Sequence, residues 1–119
     1  MRVAIVGSRG WTDRKAIFDY VAALPKDTVI VSGEARGADT IAKEAAAHYG
    51  LAYDPYPADW KRYGRSAGII RNQELVANCD RLVAFQIGDS PGTCNVIEAA
   101  MQIMKPVLVF YPENGSHDA

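Results

Sequence analysis

Three short stretches carry the residue types that hold phosphate: Gly7-Ser8-Arg9-Gly10-Trp11, Gly33-Glu34-Ala35-Arg36-Gly37-Ala38-Asp39 and Gly88-Asp89-Ser90-Pro91-Gly92-Thr93. Glycine lets a backbone N–H approach a phosphate oxygen closely, and a helix N-terminus adds partial positive charge. The Gly92-Thr93 step, opening a helix, is the best single phosphate candidate, although any strand-to-helix turn favours the same residues. Neither G-x-G-x-x-G nor G-x-x-x-x-G-K-[ST] occurs. That argues against a dinucleotide-dependent dehydrogenase and a P-loop NTPase, and no cofactor is expected.

Arginines gather near the same stretches. Arg9, Arg36 and Arg71 are read as ligand contacts, because guanidinium forks suit phosphate oxygens and lysine is absent from the three loops. Arg62 and Arg65 are read as solvated, and the alternative for Arg36 is an ion pair with Glu34 or Asp39. Trp11 is the aromatic nearest the first glycine loop and a candidate to stack on a base; its alternative is a place in the core. Glu34, Asp39 and Glu98 are the candidate acid–base groups, with Glu34 and Glu98 the candidate catalytic carboxylates. The simplest role of Asp39 is to cap the following helix. His48 and His117 lack partners at ligand spacing, so no metal site is expected. Cys94 falls near a helix N-terminus, but no basic partner is evident and a small buried thiol is expected.

Such groups need a scaffold. The chain has 119 residues, 49% hydrophobic and 23% charged, with net charge −1. This is the composition of one globular domain, not of a disordered tail, collagen-like repeat or coiled coil. Apolar runs at Arg2–Val6, Thr28–Ser32, Leu51–Pro57, Arg81–Gln86 and Pro106–Tyr111 read as strands. Pro55 and Pro57 restrict the third to an edge. Helical patterns run from Asp13 to Leu24, Ala38 to Tyr49, about Ser66 to Asn78, and Gly92 or Thr93 to about Met104, with a loop carrying Trp60 and Tyr63 before the third. Alternating strands and helices predict an α/β three-layer Rossmann-like domain over residues 1–111. Its five-stranded, mainly parallel sheet has order 3-2-1-4-5 and helices on both faces. Residues 112–119 read as a flexible tail. Ligands bind such sheets outside the C-terminal strand ends, where strand order reverses, here between strands 1 and 4.

The absence of a long apolar run argues against a membrane span. Two widely spaced cysteines and no signal-peptide pattern at the N-terminus predict a cytoplasmic protein with reduced thiols. A pI of about 6.1 argues against nucleic acid held by bulk positive charge.

Val6-Gly7-Ser8-Arg9, the stretch from Ser32 to Asp39, and Pro91-Gly92-Thr93 together resemble the SLOG superfamily of Rossmann-like domains. The first two are similar to DNA-processing protein A, and the last to the "lonely guy" phosphoribohydrolases. Gly7 to Trp11, Tyr56 to Trp60 and Ala67 to Gln73 resemble the YspA-like, cpYpsA-related branch, over nearly the whole chain. The resemblance implies a nucleotide-derived ligand contacted by Gly7, Ser8, Arg9, Gly33, Arg36, Arg71, Asn72, Gly92 and Thr93, and self-association as a homodimer. The phosphoribohydrolase loop P-G-G-x-G-T-x-x-E is shortened here, with Val96 where its glutamate stands.

The leading expectation is therefore binding or sensing of a nucleotide-derived ligand, ADP-ribose-like or a nucleoside phosphate, by the residues above with Trp11 and Asp39. An alternative is an N-glycosidase cleaving the base–ribose bond with Glu34 or Glu98. A second is a single-stranded nucleic-acid-binding domain, which the acidic balance disfavours.

Overall fold

Alternation along Arg2–Gly7 sends Val3 and Ile5 to one face of a strand and Ala4 and Val6 to the other, and all four are buried. A strand apolar on both faces belongs in the middle of a covered sheet. The structure, a computed structural model describing residues 1–112, has this strand there. The strands β1 (Arg2–Gly7), β2 (Val29–Ser32), β3 (Ala52–Pro55), β4 (Arg81–Phe85) and β5 (Val107–Phe110) run in the order β3-β2-β1-β4-β5. Every pairing is parallel. The order is the one expected from the sequence, with the proline-bearing β3 at an edge. Residues 113–119, including His117 and all of the expected tail beyond Pro112, lie outside the described residues.

Helices α1 (Arg14–Ala22) and α2 (Ala38–Tyr49) cover one face, packing Ile17, Val21, Ile41 and Ala45 against Val3, Ile5, Ile30 and Phe85. On the other face, α4 (Ala67–Ala77) and α5 (Pro91–Gln102) pack Leu75, Val76, Val96 and Ala100 against Ala4, Val6, Val31 and Ala84. Each large side chain fully withdrawn from water on these faces stabilises the fold by about 1.5–3 kcal/mol. The four-residue α3 (Trp60–Tyr63) and a 3₁₀ turn at Gly64–Ser66 replace the loop expected before α4. No helix among the described residues is long and apolar enough to cross a membrane.

The sheet's register sets up the cavity. Gly7 ends β1 opposite Phe85 at the end of β4, so the β1 and β4 loops leave the sheet side by side. A Cβ on Gly7 would stand 2.2 Å from the Phe85 carbonyl oxygen and 2.6 Å from the Ala38 Cβ, so only glycine lets these segments close. Gly37 seals the other side: its φ is +75°, and a Cβ there would meet the Ser8 and Arg9 carbonyl oxygens at 2.4 Å.

Candidate functional site

The loops after β1, β2 and β4, with the middle of α4 and the start of α5, enclose a cavity of about 470 Å³ at the reversal of strand order. Its lining brings together Gly7, Ser8, Arg9, Gly33, Asp39, Arg71, Asn72, Gly92 and Thr93 from the candidates above.

Hydroxyls fasten the β1 loop to the β4 loop. The Ile87 N–H donates to Ser8 Oγ at 2.8 Å, and Ser90 Oγ donates to the Ile87 carbonyl at 2.9 Å. With those protons assigned, Ser8 donates to Ser90 across their 2.5 Å separation. This network holds Ser90 at the N-cap of α5, where its side chain makes no capping bond. Pro91 has no N–H to offer, and the space beside the Gly92 Cα is open. The start of α5 therefore meets the cavity with its partial positive charge uncapped by a side chain.

Arg71 forms the opposite wall. Its Nη1 donates to the Gly33 carbonyl and its Nε to Asn72 Oδ1 at 2.9 Å. Asn72 is in turn anchored by donating to Asn95 Oδ1 at 2.8 Å. Burial lowers the Arg71 pKa from its ordinary value, and the nearby Arg9 lowers it further, against the opposing pull of Asp39. Two guanidiniums thus share the cavity with a single carboxylate. Asp39 is 4% exposed and accepts from the Gly33 and Ala35 amides at 3.1 and 3.2 Å. Burial raises its pKa to about 6, opposed by the Ala35 amide, Arg71 and the Gly33 amide.

Asp39 therefore does not perform the expected helix-capping role. Gly37 is the N-cap of α2, and the Asp39 side chain reaches back to tie down the β2 loop. The backward bond requires the loop to fold over the helix start, which residue spacing along the chain does not reveal. Asn95 was missed altogether; its only signal was a carboxamide on an otherwise largely apolar stretch of α5.

The remaining candidates are elsewhere. Trp11 is 3% exposed, set edge-on to Phe85 with ring centroids 5.3 Å apart, and its Nε1 donates to the Asp13 carbonyl at 2.9 Å. A ring held on both its polar and apolar sides offers no face to a base, so the stacking expectation is corrected. Arg36 is exposed, does not line the cavity and has no ion-pair partner among the described residues. Glu34 accepts from the Tyr53 hydroxyl at 2.7 Å and pairs with Lys43 at 3.6 Å, also outside the cavity lining. Glu98 borders a separate groove with Ile97, Met101 and Cys94. Cys94 is exposed rather than buried, and Cys79 is the buried thiol. Helix α5 is covered on its Val96 and Ala100 side, and Met101 on another side is 64% exposed.

The model of the YspA, cpYpsA-related SLOG family matches residues 1–63. The chain belongs to this family. Among similar proteins, the Gene 61 protein of Mycobacterium phage D29 is 38% identical over 119 residues, covering 92% of this chain and 95% of that protein. Among solved structures, DNA processing protein A from Helicobacter pylori superposes with a TM-score of 0.76 at 23% identity, over 98% of this chain and 68% of that one. That structure is described by its single-stranded DNA binding mode. DNA processing protein A from Streptococcus pneumoniae gives a TM-score of 0.61 at 18% identity, and this SLOG chain spans 92% of its own length but only 58% of that protein's.

These neighbours overturn the argument that disfavoured nucleic acid. A protein described by its single-stranded DNA binding mode carries this fold, so the fold is compatible with nucleic acid and a slight net acidity is no ground for excluding it. Net charge averages over the whole surface, whereas phosphate responds to the cations within reach. Here Arg9 and Arg71 face one cavity despite the overall charge of −1.

Proposed function

We propose that this SLOG domain binds the phosphate of a nucleotide or nucleotide-derived ligand, such as a nucleoside phosphate or an ADP-ribose-like molecule, in the cavity between β1 and β4. The observation that carries the reading is the half-buried Arg71 guanidinium, fixed by Gly33 and Asn72 across the cavity from the uncapped start of α5. An anion between them relieves the repulsion between Arg71 and Arg9 and meets the helix end directly. The cavity volume of about 470 Å³ falls in the range that accommodates a molecule of nucleotide size.

The test is calorimetric titration with a panel of nucleoside mono- and diphosphates and ADP-ribose, with small molecules released on denaturation identified by mass spectrometry. Replacing Arg71 by Gln removes a charge-assisted contact and should weaken binding by roughly 10- to 150-fold. Undiminished affinity in Arg71→Gln would refute the assignment. A second reading, that the bound phosphate belongs to single-stranded DNA, is favoured by the likeness to the Helicobacter pylori protein. An oligonucleotide that outcompetes the mononucleotides would select it.

A further inference from the structure

Lys61, Arg62 and Arg65 follow β3 on a stretch that leads directly into α4. From Trp60 to Arg71 the chain holds four cations and no carboxylate, in a protein of net charge −1. Elsewhere Arg2, Arg14, Lys15 and Lys43 are paired with acids. Lys61, Arg62 and Arg65 are exposed and have no acidic partner among the described residues. Two aromatic rings accompany them: Trp60 is 56% exposed and Tyr63 37% exposed, with the Arg62 guanidinium 5.1 Å from the Tyr63 ring centre.

The geometry connects this surface to the cavity. The Trp60 indole lies against α4 at Gly68, where a Cβ would be 3.6 Å from its Cη2. Gly68 and Arg71, three apart on a helix, are surface neighbours about 5–6 Å apart. An exposed indole thus stands one helical turn from the guanidinium that walls the cavity.

We propose that Trp60–Ser66 is a second binding surface, a stacking and phosphate-contact platform for a single-stranded nucleic acid. One phosphate of the strand occupies the cavity and its neighbouring nucleotides lie over Trp60 and Tyr63. The proposal rests on the cavity's reading as a phosphate site and extends it to a polymer. A free nucleotide presents one base and one end bearing phosphate, and leaves three further cations unused. A strand supplies a phosphate for each cation and a flat ring for each aromatic. An acidic peptide would answer the cations but not the exposed indole.

The experiment titrates the intact protein with oligothymidylate of about eight nucleotides, a length within single-strand site sizes. Thymidine monophosphate and a polyglutamate of matched charge are run in parallel, with tryptophan fluorescence and calorimetry as readouts. The oligonucleotide should bind more tightly than the monophosphate and quench the fluorescence. In Trp60→Leu that quenching should disappear and oligonucleotide affinity should fall roughly 5- to 150-fold, while monophosphate affinity holds. Joint replacement of Lys61, Arg62 and Arg65 by Gln should reduce the slope of log affinity against log salt by about 2. These side chains are exposed, so this variant decides the matter if Trp60→Leu fails to fold. Equal affinity for the oligonucleotide and the monophosphate would overturn the platform, as would an unchanged salt slope or polyglutamate binding as tightly as the oligonucleotide. If Arg71→Gln alone spares monophosphate binding while the Trp60 and salt effects persist, the cavity assignment fails and the platform stands.

Discussion

Replacing Asp39 by Asn should change how stability depends on pH, and the structure gives both sign and size. A carboxyl with an ordinary pKa of 3.8 is raised to about 6 by burial, despite two amide donors and the nearby Arg71. Between those values the folded protein holds a proton that the unfolded chain has released. Stability must therefore fall as pH rises through this window, with the full loss reached above about pH 6. Ionising the buried group costs on the order of 3 kcal/mol. That is a sizeable part of the roughly 5–15 kcal/mol that holds a domain together.

Asparagine keeps an oxygen to accept from the Gly33 and Ala35 amides but has nothing to ionise. The assay is urea denaturation of both proteins from about pH 4 to about pH 7.5. The wild type should lose roughly 2–2.5 kcal/mol relative to Asp39→Asn over that range, on the order of 10 °C in melting temperature. Taking the difference between the two proteins cancels every other titrating group they share. A difference that stays flat, or moves in the wild type's favour as pH rises, would refute the burial argument. The same logic extends to ligand: an anion beside Asp39 favours its protonated form, so phosphate binding near neutral pH should take up a proton and weaken as pH rises above about 6.

Other substitutions separate the parts of the site. Gly33→Ala would bring a methyl group within 2.6 Å of Arg71 Nη1 and 2.9 Å of Asp39 Oδ2. It should displace the guanidinium and cost at least about tenfold in nucleotide affinity, measured by calorimetry, and wild-type affinity would count against the Arg71 geometry. Gly7→Ala meets the Phe85 carbonyl, which cannot turn aside, so denaturant melts should register a loss of about 1–3 kcal/mol or more, and a neutral result would contradict the tight β1–β4 closure. Glu34→Gln and Glu98→Gln should leave nucleotide binding within about twofold, because neither side chain lines the cavity. Release of free base from a nucleotide, lost in either variant, would instead reinstate the N-glycosidase alternative.

The sheet was legible because its determinants are local. Alternating or continuous apolar residues mark a strand wherever the chain goes, and Pro55 marked β3 as an edge strand before any partner was known. The glycine loops were legible for the same reason, since a parallel sheet delivers its loops to one end. What escaped depends on contacts distant in sequence or too short to have a period. The four residues of α3 span little more than one turn and show no amphipathic repeat. Trp11 looks identical in sequence whether it faces a ligand or Phe85, and only the folding of the loop between β1 and α1 onto Phe85 decides. Glu98 was limited by rotation: five residues after the inward Thr93, at about 100° each, it points about 140° away from the buried stripe of Thr93, Val96 and Ala100.

The distribution of charge bears on whether such a site holds its ligand or transforms it. Cleaving a base from ribose needs a carboxylate free to stabilise a developing cation or activate water. Of the three candidate carboxylates, Glu34 is engaged with Tyr53 and Lys43, and Glu98 is on another surface. Asp39 alone lines the cavity, and it is already the acceptor that shapes the β2 loop. Turning that oxygen toward a substrate would compete with holding Gly33, whose carbonyl in turn fixes Arg71. Asp39, Gly33 and Arg71 thus act as one positioning unit, in which the acid maintains the geometry of the cation. An arrangement that commits its one central carboxylate to structure and leaves its cations facing open space is suited to grip an anion. On that logic, discrimination between a free nucleotide and a strand falls to the groups beyond the cavity's rim, where Trp60 and its unpaired cations begin.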